Sequence, residues 1–185
     1  LLTLPAAVQA ETYRVSISSG DEQANADSKF PELSQDGRFV VFSSEANSLV
    51  DGDNNGKQDV FVHDRDTGET QMVSVSTAGL IGNQSSFLED MSADGRFVLF
   101  SSGSTNLSVD GEPGLFIRDR DRGETTRVAV WGMTATISND GRYIAFSTYV
   151  DNLLPWNSNS LWDTSMFDRL TQRISLASRS HISAL

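Results

Sequence analysis

Short apolar runs alternate along this chain with turns rich in Ser, Asp and Gly, and one such group of runs occurs three times. Its clearest part is a Ser-x-Asp-Gly-Arg turn followed by an apolar run, at residues 34–44, 92–102 and 138–148. Asp-Gly between apolar runs is a strong hairpin signal, because both residues tolerate a positive φ. A recurring unit indicates stacked copies of one small structure, since a single copy cannot bury its own apolar surface.

Each unit predicts four short strands, and no helical period is sustained anywhere in the chain. The predicted strands are residues 31–34, 38–44, 59–64 and 71–76 in the first unit, 88–92, 96–102, 115–119 and 126–130 in the second, and 134–138, 142–148, 164–168 and 172–177 in the third. The second strand of the first unit is apolar on both faces, so it needs cover on both sides. Sheets stacked face to face around an axis, as in a β-propeller, provide that cover. We therefore predict an all-β, propeller-like fold of three four-stranded antiparallel blades.

The segments outside the blades have their own predictions. Residues 13–18 match the fourth strand of the later units, so we expect an orphan outer strand there. The predicted organisation is a signal-peptide-like segment (1–10), the orphan strand and a linker (11–30), three blades (31–78, 79–131 and 132–178) and the start of a further repeat (179–185). Three blades are fewer than the usual ~4–8 of a closed propeller. The chain is therefore expected to be part of a larger propeller or of an assembly of several copies. The larger propeller is favoured, because copies joined head to tail would still lack two middle strands of one blade.

Composition excludes some classes of function. The formal net charge is −11, which argues against a nucleic-acid partner because phosphate binding needs a basic face. Cysteine is absent, so disulfides and thiolate metal sites are excluded. No apolar run reaches the ~18 residues of a membrane helix. Val8 and Ala10 are small residues placed as at a signal-peptide cleavage site before Glu11, and the alternative is an ordinary frayed terminus.

These motifs together resemble a known repeat. The unit Ser-x-Asp-Gly-Arg-Phe-Val-x-Phe-Ser-Ser, then Gly-Asp-x-Asn-Gly-x-x-Asp-Val-Phe-Val-x-Asp-Arg, then Val-Ser-Val-Ser, is similar to the WD40-like PD40 repeat of TolB-type β-propellers. The match covers nearly everything from residue 13 to residue 178. The resemblance implies an exported bacterial protein, periplasmic or secreted. It also implies a protein-interaction platform, or a domain attached to a serine peptidase of the prolyl-oligopeptidase type.

One loop of the first unit has the spacing of a calcium site. Its oxygen-bearing side chains are Asp51, Asp53, Asn55 and Asp59, at positions 1, 3, 5 and 9, with Gly at position 6 and the carbonyl of Lys57 at position 7. A tight loop wraps hard oxygen ligands around Ca²⁺ in this way. The loop lacks the Glu of an EF-hand at position 12, and a strand follows it directly. The alternative is a turn held by its own side-chain-to-backbone hydrogen bonds.

The other two units carry weaker versions of this loop. In the third unit Asn157, Asn159 and Asp163 occupy the positions of Asp53, Asn55 and Asp59, which predicts a weaker second site with one carboxylate. The loop of the second unit is shorter and has lost the set of ligands.

No catalytic residues are predicted. A Gly-x-Ser-x-Gly elbow is absent from the sequence, and His63 and His181 are better interpreted as surface or strand-end residues. The Asp-Arg pairs at residues 64–65, 119–120 and 168–169 recur in every unit, which favours a structural role. We therefore expect a calcium-stabilised module that binds a protein partner or itself. The alternatives are the propeller domain of a peptidase whose catalytic domain lies outside this chain, and a self-assembling extracellular subunit.

Overall fold

The computed structural model describes residues 12–129, 134–148 and 162–177, and within them the chain forms three four-stranded antiparallel sheets. The first sheet consists of β1 (Ser28–Leu33), β2 (Phe39–Ser44), β3 (Asp59–Asp64) and β4 (Thr70–Met72). The second consists of β5 (Ser86–Met91), β6 (Phe97–Ser102), β7 (Gly114–Asp119) and β8 (Glu124–Ala129). The third consists of β9 (Ala135–Ile137), β10 (Tyr143–Thr148), β11 (Asp163–Asp168) and β12 (Arg173–Leu176). Strand order in each sheet follows the sequence, so each sheet is one repeat unit.

The first hairpin of each sheet is built by the Ser-x-Asp-Gly-Arg turn. In the first sheet the Ser34 hydroxyl donates to Asp36 Oδ1 at 2.6 Å and accepts the Phe39 N–H at 2.9 Å. Asp36 Oδ1 also accepts the Arg38 N–H at 3.0 Å. Gly37 has a φ of 73°, which only glycine adopts without strain. The same bonds recur in the other two sheets, so the repeated letters specify one repeated turn.

The core lies between the sheets. One apolar cluster joins Val41, Val60 and Val62 of the first sheet to Phe100 and Phe116 of the second. A second cluster joins the opposite face of the second sheet to the third. The strands β2, β3 and β6 are almost wholly buried, as expected for strands covered on both faces.

The hairpin turns of neighbouring sheets are also bonded to each other. The Gln35 N–H donates to the Ala93 carbonyl at 2.8 Å, and the Ala93 N–H donates to the Asn139 carbonyl at 3.0 Å. The turn glycines of the second and third sheets lie against aromatic rings of the preceding sheet: a Cβ on Gly95 would overlap the Phe39 ring, and one on Gly141 the Phe97 ring. The sheets therefore stack by a repeated junction, not by apolar contact alone.

The recurring Asp-Arg pairs belong to this framework. Each Asp accepts two hydrogen bonds from an arginine of its own sheet: Asp64 from Arg38 (3.0 and 2.7 Å), Asp119 from Arg96 (2.9 and 2.7 Å) and Asp168 from Arg142 (3.2 and 2.8 Å). Chiefly through the hydrogen bond from Arg142, the pKa of Asp168 falls to about 2. These groups are structural, as their recurrence indicated.

The segment at residues 13–18 differs from its prediction. We expected an outer strand, and the structure has an isolated bridge between Ile17 and Gln23. The fourth strand of the first unit also ends early, at Met72, and is followed by a bridge between Val75 and Ile81. In both places a Ser at the end of the Val-Ser run accepts hydrogen bonds from the backbone of a tight turn, and this turn interrupts the ladder. The strand β1 begins at Ser28, within the segment predicted as a linker.

Each of these turns rests on the outer strand of the sheet that follows it. The Thr70 hydroxyl in β4 donates to the Ile17 carbonyl at 2.6 Å, and the Thr125 hydroxyl in β8 donates to the Val75 carbonyl. The predicted signal-like segment 1–10 and the further repeat at 179–185 lie outside the described residues. Among the residues that the structure describes, none lies in a helix with the length and apolarity needed to cross a membrane.

Candidate functional site

The predicted calcium loop connects β2 to β3 and contains two buried carboxylates. Asp53 is 8% exposed, and Asp59, the first residue of β3, is fully buried. Gly56 has a φ of 63°, so the glycine expected at the sixth position of a tight oxygen-rich loop makes a left-handed turn there. Asp53 Oδ1 is buried without a hydrogen-bond partner. A buried carboxylate oxygen in this state carries an uncompensated desolvation cost.

Asp59 is held by two side chains, one from the loop and one from beyond β4. The Ser74 hydroxyl donates to Asp59 Oδ1 at 2.6 Å, and Asn55 Nδ2 donates to Asp59 Oδ2 at 2.6 Å. Asn55 Nδ2 also donates to the Gly82 carbonyl at 3.0 Å, while Asn55 Oδ1 accepts the Lys57 N–H at 2.7 Å. The Asn55 amide thus lies between two acceptors, Asp59 Oδ2 and the Gly82 carbonyl. Of these bonds, only the one from the Lys57 N–H to Asn55 Oδ1 is a side-chain-to-backbone bond within the loop, the kind that the alternative to calcium predicts.

The ionised forms of Asp53 and Asp59 are disfavoured in this environment. Burial raises the pKa of Asp59 to about 6, and the negative charge of Asp53 adds to the rise, while the bonds from Ser74 and Asn55 oppose it. Burial also raises the pKa of Asp53, opposed by a hydrogen bond from the Asn55 backbone. A cation between the two groups would relieve both effects.

The other two predicted ligands are placed differently. Asp51 is exposed and lines a cleft with Ser18, Gly20 and Thr70. Lys57 lines a separate cleft of about 450 Å³ together with Asp53. Within the described ranges, no group of three or more His, Cys, Asp or Glu side chains is close enough to share a metal ion. The loop therefore brings Asp53, Asn55 and Asp59 together and leaves Asp51 apart.

Sequence reasoning missed two members of this site, Ser74 and Gly82. Both lie beyond the nine-residue loop, and Gly82 precedes the second sheet. The loop is also joined to that sheet at the Ser86 N–H, which donates to the Gln58 carbonyl at 2.7 Å. Val-Ser-Val-Ser stands after the third strand of the first unit only, at residues 73–76, and spacing within the loop does not reveal Ser74.

The corresponding loops of the other units differ. Asn157 and Asn159 of the predicted second site lie outside the described residues, and Asp163 is a buried residue at the start of β11. In the second unit Asp110 pairs with Arg127 of β8. His63 is buried near the end of β3, with Nδ1 2.9 Å from the Thr70 hydroxyl, so it is a strand-end residue with a structural partner.

Comparison with solved structures identifies the fold. Over 84% of this chain, the structure superposes on TolB from Acinetobacter baumannii with a TM-score of 0.50 and 19% identity, and the match covers 32% of TolB. The chain has a TolB-type, propeller-like fold. The β-propeller domain of the trilobed protease from Pyrococcus furiosus gives a TM-score of 0.53 at 11% identity, over 86% of this chain and 44% of that one.

The tricorn protease is also similar, with a TM-score of 0.56 and 13% identity over 83% of this chain and 13% of the protease. These matches confirm the fold predicted from the PD40 resemblance. No protein-family model and no curated protein sequence matches the chain. The chain spans about a third of the length of TolB and a smaller share of the tricorn protease. At sequence identities below 20%, these similarities support the fold and nothing further.

Proposed function

We propose that this chain is an exported, calcium-stabilised propeller module that binds protein partners through its loops and sheet edges. The observation that carries the calcium part is Asp53 Oδ1, which is buried and unpartnered within a loop of calcium-ligand spacing. Two carboxylates, an amide and a backbone carbonyl are the hard oxygen donors that Ca²⁺ prefers. The donor set therefore fits calcium in its chemistry.

Calcium would take over a contact that Asn55 now makes. The Asn55 amide nitrogen bridges Asp59 Oδ2 and the Gly82 carbonyl, so these two oxygens face a common point. A cation bound to Asp53 and Asp59 would offset the repulsion between their charges. Because Gly82 precedes the second sheet, the same ion would tie the loop of the first sheet to its neighbour.

Export is the setting in which such a site is useful. A loop with two carboxylate ligands falls in the affinity class of extracellular modules, ~10⁻⁴–10⁻³ M, which is filled outside a cell. The leader-like residues before Glu11 motivate this part of the proposal. Similarity to TolB motivates a periplasmic setting and a protein partner.

A second candidate is a propeller domain that serves a peptidase. Similarity to the tricorn protease and to a puromycin hydrolase (TM-score 0.52) motivates it. In that case the catalytic groups belong to a domain outside this chain. A reading frame that continues into an α/β-hydrolase sequence with a Gly-x-Ser-x-Gly elbow would favour this candidate.

Thermal unfolding in EDTA and in CaCl₂ at matched ionic strength tests the calcium site. At a calcium concentration of 100 Kd the expected stabilisation is about 2.7 kcal/mol, which raises Tm by roughly 5–10 °C in a domain of this size. Asp53→Ala should abolish the response. Asp110→Ala is the matched control, because Asp110 lies in the loop that has lost the ligands and pairs with Arg127. Equal melting curves with and without calcium, or loss of the response in both variants, would refute the site.

A further inference from the structure

A cleft of about 450 Å³ separates the β2–β3 loop of the first sheet from β5 of the second sheet. Its charged lining residues are Glu45, Asp53 and Lys57, and Phe87 of β5 contributes an aromatic side chain that is 41% exposed. Glu45 is exposed, whereas Asp53 is buried and its Oδ1 has no hydrogen-bond partner. The lining thus combines two carboxylates and one aromatic ring with a single ammonium group.

This lining fits an organic cation better than other classes of ligand. Asp53 Oδ1 is a buried acceptor without compensation, so a charged donor satisfies it best. The face of an aromatic ring such as Phe87 also attracts a cation. An anionic ligand would be repelled by Glu45 and Asp53, and an apolar ligand would leave Asp53 Oδ1 unpaired. The net charge of −11 on the chain draws cations towards its surface.

The sheets themselves show which cation suits a ring and a carboxylate. In the first sheet the Arg38 guanidinium lies 4.8 Å from the Phe39 ring centroid, and its Nε and Nη2 donate to Asp64. The other two sheets repeat the arrangement with Arg96, Phe97 and Asp119 and with Arg142, Tyr143 and Asp168. The cleft presents a ring and a carboxylate, and none of its described lining residues is an arginine. An arginine from another molecule would complete the same combination there.

We propose that this cleft binds an arginine side chain of a protein partner, whose guanidinium donates to Asp53 Oδ1 and stacks on the Phe87 ring. Such a site gives the protein-binding role proposed above its partner chemistry, and it rests on that role but not on calcium. Arginine is preferred to lysine because a flat guanidinium can lie on a ring while its N–H groups reach a carboxylate. A calcium ion on Asp53 would occupy the same oxygen, so calcium and the arginine should compete.

Titration of the ¹⁵N-labelled chain with a capped glycine peptide that carries one arginine tests the proposal by NMR in EDTA. The amide signals of the cleft, which include those of Gly56, Lys57, Ser85 and Phe87, should shift as the peptide binds. A peptide with citrulline in place of arginine has nearly the same shape without the charge, so it should bind about tenfold more weakly. The lysine peptide should also bind more weakly than the arginine peptide, because it cannot stack in the same way.

Variants of the lining should change the affinity in opposite directions. Asp53→Asn keeps the shape and removes the charge, so it should weaken the arginine peptide about tenfold. Phe87→Leu keeps an apolar side chain without the ring and should weaken it about threefold. Lys57→Gln removes the one ammonium group of the lining and should strengthen it about twofold. Glu124→Gln makes the same change of charge as Asp53→Asn at an exposed residue outside the cleft, so it should bind as the wild type does.

Several results would overturn the proposal. Cleft signals that do not shift, or equal affinities for the arginine and citrulline peptides, show that no guanidinium is recognised. Weaker binding in Lys57→Gln shows a cleft for an anionic or neutral ligand, and equal losses in Asp53→Asn and Glu124→Gln show attraction by net charge alone. Where the melting curve responds to calcium, undiminished binding in CaCl₂ shows that the peptide does not use Asp53. Because the other titrations are run in EDTA, their outcome is separate from that calcium response.

Discussion

The guanidinium of Arg120 in the second sheet lies 4.4 Å from the ring centroid of Phe39 in the first sheet. Arg169 of the third sheet stands in the same relation to Phe97 of the second, at 3.9 Å. Each arginine is fixed by a hydrogen bond to the turn glycine carbonyl of its own sheet. The planar guanidinium can stack and donate at once, which lysine cannot do. The pair therefore sets the spacing of neighbouring sheets near their hairpin turns.

Replacing Arg120 should weaken the first junction. Arg120→Met keeps most of the apolar stem but removes the stacking and the bond to the Gly95 carbonyl, so we expect a loss of about 1–2 kcal/mol in the free energy of unfolding. Urea unfolding followed by tryptophan fluorescence measures this loss. Arg122→Met, at a side chain that is 65% exposed, is the control and should change stability little. Equal effects of the two substitutions would show that the stacking contributes nothing.

Glycine substitutions separate the cost of a left-handed turn from the cost of the junction. Gly95 and Gly68 have φ values of 73° and 75°, so alanine at either position pays the same backbone strain, about 1–2 kcal/mol. A Cβ on Gly68 meets nothing within 4 Å, whereas one on Gly95 overlaps the Phe39 ring. Gly95→Ala should therefore destabilise by a further ~1–3 kcal/mol, measured by urea unfolding. Indistinguishable stabilities of the two variants would mean that the rings separate without cost.

The turn at residues 76–82, between the first and second sheets, is held in place by Thr125 of β8. Its hydroxyl donates to the Val75 carbonyl and accepts a hydrogen bond from Arg118, so Thr125→Val removes both bonds with little change of shape. We expect a loss of about 1 kcal/mol in the free energy of unfolding and faster proteolysis within the turn at residues 76–82. Thr126→Val changes the exposed neighbour on the same strand and should leave both unchanged. Proteolysis at the same rate in all three proteins would contradict this role of Thr125.

The repeated turns made most of the fold predictable, because each is a local structure. Ser34, Asp36 and Gly37 are bonded within six residues, so their pattern specifies the hairpin wherever it recurs. The bridge at Ile17 was not predictable in the same way. Its Val-Ser run has strand propensity, and the turn that replaces the strand is held both by Ser18 and by the contact of Ile17 with Thr70, far along the chain.

The candidate site shows the same division. Spacing within residues 51–59 identified Asp53 and Asp59, which the loop does bring together. It did not identify Ser74 or Gly82, since both reach Asp59 or Asn55 only after the sheets have formed. It also included Asp51, which the structure leaves exposed, because position along a loop does not determine the direction of a side chain.

A carboxyl group on β1 should make the free energy of unfolding depend on pH near neutrality. Glu32 is half-buried beside Asp90, whose Oδ2 accepts the Ile137 N–H at 2.7 Å. Burial, followed by the charge of Asp90 and a hydrogen bond with it, raises the pKa of Glu32 to about 7. The ordinary glutamate pKa is about 4.3, so the folded state binds a proton that the unfolded state has released. The stabilisation is therefore complete below that ordinary value and is lost as pH rises through about 7.

Urea unfolding of the wild type and Glu32→Gln between pH 5 and 8.5 checks this dependence. The wild type should lose stability relative to the variant as pH rises, because the variant stays neutral throughout. The difference between the two curves removes the contribution of other groups that titrate in this range, including the buried His63. Glu124→Gln, at an exposed end of β8, is the control and should run parallel to the wild type. If Glu32→Gln also runs parallel, Glu32 is ionised in the folded protein at neutral pH and the carboxyl pair repels without sharing a proton.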